Sequence, residues 1–121
     1  MARSRFDPDR NLRMNQDAVL IGKTLDGQPE AYTQLVKKYQ LPVYALALKR
    51  TRSSGTAEEI AQVVFVTAFQ KLAQLKDRKK FGAWLRSITI RQSSMHFRSE
   101  TQNKRIMHRL ELDAHAISPP H

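Results

Sequence analysis

Apolar residues recur at intervals of three and four from residue 17 to about residue 105, and the period-two alternation that marks strands is missing. The pattern predicts a short helix over 17–25 and three main helices over 29–50, 56–75 and 81–105. The fold class is therefore all-α, a compact helical bundle of three main helices plus a short N-terminal helix. Residues 1–15 are predicted to be a disordered basic arm, 16–105 the helical domain, and 106–121 a linker or tail.

The helix predicted over 56–75 has a defined start and one broad apolar face. Thr56 can cap it, and Glu59 follows three residues later, which is the spacing of a reciprocal capping box. The apolar residues at helical spacing are Ala61, Val64, Phe65, Ala68, Phe69, Leu72 and Leu75. We expect this face to lie in the core.

The opposite face of that helix places two valines among polar residues. It carries Glu59, Gln62, Val63, Val66 and Gln70. Apolar side chains rimmed by polar ones are typical of a surface that binds a partner. A bundle helix buried on two sides explains the same pattern, and periodicity leaves both interpretations open.

Composition narrows the class of protein. The chain of 121 residues suits one domain, and the absence of cysteine excludes disulfides and thiolate metal sites and is typical of a reducing, cytoplasmic compartment. No apolar run has membrane-spanning length, and the N-terminus lacks the apolar segment of a secretory signal, so we expect no membrane insertion.

Three residues near the C-terminus are candidate metal ligands, since His108, Glu111 and His115 could share a helical face. Because a fourth ligand is missing, we interpret them as a solvated tail and predict no metal or cofactor.

The charge is unevenly distributed. The net charge is +10, and residues 76–109 alone carry ten Lys or Arg against two acidic residues, a local +8. A basic block of this kind is typical of nucleic-acid binding. An anionic membrane surface is the competing partner, but the segment lacks the apolar face that an interfacial helix needs.

Two parts of this basic segment are candidate DNA contacts. The first is the loop with Lys76, Arg78, Lys79 and Lys80, which taken alone is more typical of a solvated connector. The second is a stripe on the last helix made of Ser87, Arg91, Ser94, Arg98, Thr101 and Arg105. Arg, Ser and Thr contact phosphates and base edges. An ordinary solvated face mixes both signs of charge, and this stripe has no acidic residue, so nucleic-acid binding is favoured.

Three segments, in order, resemble region 2 of bacterial RNA polymerase sigma factors of the extracytoplasmic-function (ECF) group. They are DAVLIGKTLDGQPEAYTQLVKKYQLPVYALALKR, TAEEIAQVVFVTAFQKLAQL and FGAWLRSITIRQSSMHFRSE. These are similar to the family's LV-x-x-Y-x-x-x-VY-x-LAL, DAED-x-x-Q-E-x-F and F-x-x-WL-x-x-I helices. The resemblance covers about residues 17–105 and implies a promoter-recognition domain that is not an enzyme.

The resemblance also implies roles for individual residues. Glu58, Glu59, Gln62, Val63 and Val66 would contact the β′ clamp helices of core RNA polymerase. The loop 76–80 would capture a flipped base of the single-stranded −10 non-template strand, and the helix from Phe81 onward would melt and read that promoter element. Family members are commonly held by an anti-sigma factor, so such a partner is expected as well.

Departures from the family pattern accompany the resemblance. Val63 stands where the family usually has Glu, and Arg91 where it often has Asn, so polymerase affinity and −10 preference are expected to differ. The family's second DNA-binding domain is absent after Pro119-Pro120, which resembles the start of an interdomain linker. Either a piece of a longer protein or a naturally short protein would look like this.

Two functional alternatives use the same residues. A stand-alone helical DNA-binding regulator would bind duplex and single strands equally. A sigma-like interaction module bound by an anti-sigma factor would have lost its DNA contacts. The sequence shows no catalytic nucleophile–base pairing, no phosphate-cradling glycine loop and no metal spacing, so we predict no catalytic residues.

Overall fold

The computed structural model describes residues 8–117, with side-chain surroundings for residues 12–13 and 15–113. Within that range the chain forms four α-helices, α1 Pro8–Leu25, α2 Pro29–Thr51, α3 Ser54–Lys71 and α4 Phe81–Ile117. Two 3-10 turns, Leu72–Gln74 and Arg78–Lys80, lie between α3 and α4, and no strand occurs in this range. The predicted all-α class is confirmed.

Local chemistry explains where α2 begins and ends. Pro29 occupies the first turn of α2, where its missing N–H has no intrahelical partner to lose. Before it, Gly27 takes a positive φ of 95°, which lets the chain reverse from α1 into α2. At the other end, Arg52 adopts the left-handed conformation (φ 55°), and its N–H donates to the Leu48 carbonyl at 2.7 Å. The helix is continuous through Pro42.

The start predicted for the central helix is wrong by two residues. α3 begins at Ser54, and its N-cap is Ser53, whose hydroxyl accepts the Thr56 N–H at 3.4 Å. Thr56 therefore lies inside the first turn and does not form the predicted capping box. Gly55 likewise lies in the first turn of α3.

The core forms around α2, which packs against α1, α3 and α4. The buried apolar residues are Ile21, Ala31, Leu35, Val43, Ala47, Ala57, Ile60, Val64, Phe65, Ala68, Leu72, Phe81 and Leu85. Four residues of the predicted α3 face are among them. Phe69, also predicted to be core, is 52% exposed.

A buried carboxylate joins α1 to α2. Asp17 is almost fully buried, forms an ion pair with Lys38 (2.6 Å) and accepts a hydrogen bond from the Tyr39 hydroxyl. Burial raises the pKa of Tyr39 well above its usual range, and the neighbouring Asp17 raises it further. The Tyr39 ring also covers Gly82 at the start of α4, where a Cβ would lie 3.1 Å from its hydroxyl oxygen.

Both ends of the bundle are more helical than predicted. α1 starts at Pro8, so residues 8–15 are not a disordered arm and α1 is as long as α3. Lys38 donates to the Arg13 carbonyl at 3.2 Å, a contact that holds this first part of α1 and that no apolar period reveals. Residues 1–7 lie outside the described part of the chain.

At the C-terminal end, α4 continues to Ile117, so residues 106–117 are helical where an irregular linker or tail was predicted. Leu, Arg, Glu and Met are good helix formers, so their intrinsic propensity can continue α4 where its side chains do not pack on the other helices. Pro119-Pro120 lies outside the described residues, and the domain limits at 16 and 105 stay predictions. No helix within 8–117 is both long and apolar enough to cross a membrane.

Candidate nucleic-acid and protein interfaces

The outward face of α3 is exposed to solvent, as the interpretation of a partner-binding surface requires. Glu58, Glu59, Gln62, Val63 and Val66 all project into solvent. Val66 exposes 56% of its surface, and Val63 lies beside it. The alternative of a helix buried on two sides is therefore wrong. Exposed valines among carboxylates and amides form a surface that a partner can desolvate.

Phe69 extends this surface and was missed because its spacing also fits the core stripe. It is 52% exposed and lies three residues beyond Val66, on the same side of α3. The edge of its ring packs on Tyr32 of α2 with the centroids 5.0 Å apart. The Tyr32 hydroxyl donates to the Phe65 carbonyl, so the supporting ring is held in place. We call Glu58, Glu59, Gln62, Val63, Val66 and Phe69 the α3 face.

A shallow groove between α2 and α3 borders the α3 face. Its lining residues are Gln40, Leu41, Tyr44, Glu58, Ala61 and Gln62. Leu41 is 72% exposed. Sequence reasoning missed Leu41 because it falls off the apolar stripe of its own helix. Only the antiparallel packing of α2 and α3 brings it beside Glu58 and Gln62.

The basic loop has a defined conformation. The Asp77 side chain accepts the Lys79 N–H at 3.1 Å, and the Asp77 carbonyl accepts the Lys80 N–H at 2.9 Å, which closes the 3-10 turn. Arg78 turns toward α1, where a Cβ on Gly22 would lie 3.3 Å from its guanidinium. All five residues from 76 to 80 are exposed. The loop is therefore a held, charged surface rather than a loose connector.

A shallow, open depression of about 330 Å³, which we call the loop cavity, lies between this loop and the first turns of α4. Its lining residues are Leu75, Lys76, Asp77, Lys80, Ala83, Trp84 and Ser87. Of the predicted DNA contacts, it brings together Lys76, Lys80 and Ser87, whereas Arg78 and Lys79 lie outside it. An indole beside two ammonium groups provides a flat apolar wall and a phosphate-binding rim.

The predicted stripe follows one side of α4. Arg91, Arg98, Thr101 and Arg105 are exposed, and Ser94 is half-buried. From Ser87 to Arg105 the stripe extends about 27 Å at 1.5 Å per residue. The acidic residue nearest its middle, Glu100, projects from another side of the helix toward His96, 3.7 Å away. The stripe is therefore a continuous cationic surface.

Arg50 adds a second helix to this surface. Its guanidinium donates to the Ser94 hydroxyl at 3.1 Å, although the two residues are 44 apart in the chain. Lys49 and Arg52 flank it at the exposed end of α2. Sequence reasoning missed this cluster because a basic last turn is also the ordinary complement of a helix dipole.

Nothing in the described side chains assembles a metal site. Among residues 12–13 and 15–113, no three His, Asp or Glu side chains are grouped closely enough to hold a metal ion. His115, part of the trio considered from the sequence, lies outside the residues whose side chains are described.

The described residues form a four-helix bundle with an exposed, partly apolar helix face and a basic loop-and-helix surface. The chain belongs to the Sigma-70 region 2 family, whose model matches residues 35–103, from the second turn of α2 into α4. Among curated relatives, it is 44% identical over 63 residues to a protein described as "Probable RNA polymerase sigma factor RfaY" from Xanthomonas campestris pv. campestris. That match covers 52% of this chain and 16% of the relative.

A second relative is the RNA polymerase sigma-H factor of Pseudomonas aeruginosa, which is 28% identical over 85 residues. This match covers 70% of the chain and 44% of the relative. The chain therefore corresponds to less than half the length of either relative. The α4 stripe and the α3 face both lie within the residues that the family model matches, apart from Arg105.

Proposed function

We propose that the chain is the promoter-recognition domain of an ECF-group sigma factor. The α3 face binds the β′ clamp helices of core RNA polymerase, and the loop cavity and α4 stripe bind the −10 non-template strand once it is single-stranded. The observation that carries the proposal is the presence of two separate exposed surfaces of different chemistry within one Sigma-70 region 2 fold. Such a domain acts in the cytoplasm, where transcription takes place.

The α3 face suits a protein partner because its apolar centre is small and its rim is polar. Burying Val66 and Phe69 would remove apolar surface from water at about 25 cal/mol per Å². Glu58, Glu59 and Gln62 would give orientation and steering rather than most of the affinity. The same features would suit an anti-sigma factor, which would then compete with polymerase for the surface.

The loop cavity suits an unstacked base. Extruding a base costs on the order of a few kcal/mol, and stacking on an aromatic side chain returns about 1–3 kcal/mol. Trp84 supplies the ring, while Lys76 and Lys80 lie at the rim where phosphates would pass. The α4 stripe then continues the cationic track along the strand, so that binding holds the promoter open.

Core polymerase binding tests the protein half of the proposal. Val66→Asp should abolish capture of purified bacterial core RNA polymerase. Val19→Asp is a matched control, because Val19 on α1 is also 56% exposed and lies on neither surface. Equal capture by both variants would show that the α3 face is not the polymerase contact.

Strand selectivity tests the nucleic-acid half. Fluorescence anisotropy with a −10 non-template oligonucleotide and its duplex should show preference for the single strand, strengthened by core polymerase. Equal affinity for the two would instead support a stand-alone duplex-binding regulator. No binding to either, with polymerase capture intact, would support an interaction module that has lost DNA contact.

A further inference from the structure

An exposed aromatic ring lies beside the cationic stripe of α4. Phe97 exposes 43% of its surface, one turn beyond Ser93, the last buried residue of this helix. Phe97 therefore lies beyond the part of α4 that packs in the core. Its ring and that of His96 are in an edge-to-face arrangement, with the centroids 6.3 Å apart. A large apolar ring left open beside arginines calls for a binding explanation more than an isolated surface residue does.

The side chains around Phe97 form a notch. Its lining residues are Phe97, Arg98, Thr101, Gln102 and Arg105. Thr101 lies one turn after Phe97 and is short, so it forms the floor between the aromatic ring and the longer side chains. The notch therefore has one flat apolar wall and cationic, hydrogen-bonding walls opposite.

The electrostatics of the notch select an anionic ligand with a flat face. Arg98 and Arg105 line it, and Lys104 lies on the neighbouring part of the helix. No carboxylate lines it, and Glu100 is directed toward His96. A nucleobase satisfies both demands, because its ring can stack on Phe97 while its phosphates contact the guanidinium groups.

We propose that this notch is a second nucleobase subsite, in which Phe97 stacks on a base of single-stranded DNA while Arg98 and Arg105 bind the adjoining phosphates. The proposal rests on the proposed function, which supplies the strand. Phe97 lies about 15 Å along α4 from Ser87 at the loop cavity. The two sites would therefore bind bases a few nucleotides apart on the same strand.

Binding of a fluorescent single-stranded oligonucleotide by four variants tests the proposal. Phe97→Ala should weaken binding about 5- to 140-fold, which is ~1–3 kcal/mol at 1.4 kcal/mol per tenfold. Phe97→Leu, which keeps apolar volume without a π-face, should lose nearly as much, and Phe97→Trp should restore binding. Met107→Ala is the matched control, because Met107 is 58% exposed on another side of the same helix and should leave affinity unchanged.

An oligonucleotide with abasic positions separates stacking from phosphate contact. Scanning a single abasic position along the strand should find one position at which wild type and Phe97→Ala bind alike. The stacking assignment is overturned if Phe97→Ala weakens binding at every abasic position. It is also overturned if Phe97→Ala and Met107→Ala change the affinity equally. An RNA strand of the same sequence should show the same dependence on Phe97, since stacking does not use the 2′-hydroxyl. The proposal would also be overturned if Phe97→Ala weakened binding to duplex DNA only.

Polymerase capture and single-strand binding, measured together, separate the failure of the second subsite from the failure of the proposed function. If wild type binds polymerase and the single strand but Phe97→Ala matches wild type, the second subsite is wrong and the proposed function stands. If wild type binds no single strand even with core polymerase present, the nucleic-acid half of the proposed function fails and the subsite fails with it. Far-ultraviolet circular dichroism and a thermal melt of each variant confirm that the helices are intact.

Discussion

The Arg50 guanidinium donates to the Ser94 hydroxyl at 3.1 Å, so the last turn of α2 and the middle of the α4 stripe form one cationic surface. The contact orients a charge that would otherwise sample many rotamers at an exposed helix end. Because Ser94 uses its oxygen as acceptor, its hydroxyl hydrogen stays available for a phosphate. This pair links the elements that carry the nucleic-acid proposal.

Arg50→Gln should reduce the salt dependence of single-strand binding. If Arg50 contacts one phosphate, the slope of log K against log salt should fall by about 0.7. Ser94→Ala keeps the charge and should leave the slope unchanged. Lys37→Gln, an exposed lysine elsewhere on α2, is the charge-matched control. A slope change equal for Arg50→Gln and Lys37→Gln would mean that Arg50 acts only through net charge.

Arg91→Asn should alter which bases are preferred, because Arg91 is exposed in the stripe where a side chain can reach base edges. A good base contact contributes ~1–3 kcal/mol of discrimination, so one position of the −10 element should change preference by roughly tenfold. Lys79→Gln should weaken binding to all sequences alike, since a lysine contacts phosphate. Binding to a randomised −10 library, followed by sequencing, separates the two outcomes. Uniform weakening by Arg91→Asn would contradict base readout.

Asp17→Asn should destabilise the bundle by about 2 kcal/mol. Removing one partner of a buried pair leaves an uncompensated charge at a cost of ~3–5 kcal/mol, and the partial exposure of Lys38 reduces this figure. Tm should fall by roughly 5–10 °C. Asp26→Asn, at the exposed turn after α1, should change stability by less than about 0.5 kcal/mol. Equal melting temperatures for the two variants would exclude a structural role for the Asp17 network.

Stability should decline at alkaline pH through Tyr32. Burial raises the pKa of Tyr32 from 10.0 to about 12. Between these values the unfolded chain releases the phenolic proton while the folded chain keeps it, so the free energy of unfolding falls as pH rises. The full stabilisation is present below about pH 10.

Urea unfolding of Tyr32→Phe from pH 8 to pH 11.5 tests this dependence. The variant should be about 1 kcal/mol less stable at pH 8, because the hydrogen bond to the Phe65 carbonyl is lost, and its stability should decline less steeply with pH. Tyr39, whose pKa is also raised by burial, should leave a residual decline. Parallel pH curves for wild type and variant would contradict the assignment to Tyr32.

Much of the nucleic-acid candidate surface could be predicted because it follows from one helix. Spacings of three and four place Arg91, Arg98, Thr101 and Arg105 on one side of any regular helix, whatever it packs against. The two valines of the α3 face could likewise be identified, because they interrupt a polar stripe. Their exposure could not be predicted, since a helix buried on two sides has the same pattern.

The sequence by itself determined the all-α class and the grouping of the stripe residues on one side of α4, because helical periodicity is a property of neighbouring residues. Only the tertiary structure decided that Phe69 is exposed, that Leu41 borders Gln62, that Trp84 and Lys80 share a cavity, and that Arg50 reaches Ser94. Each of these depends on residues far apart in the chain meeting at a particular register. A local hydrophobic pattern cannot specify that register, because burial depends on what the other side of the contact supplies.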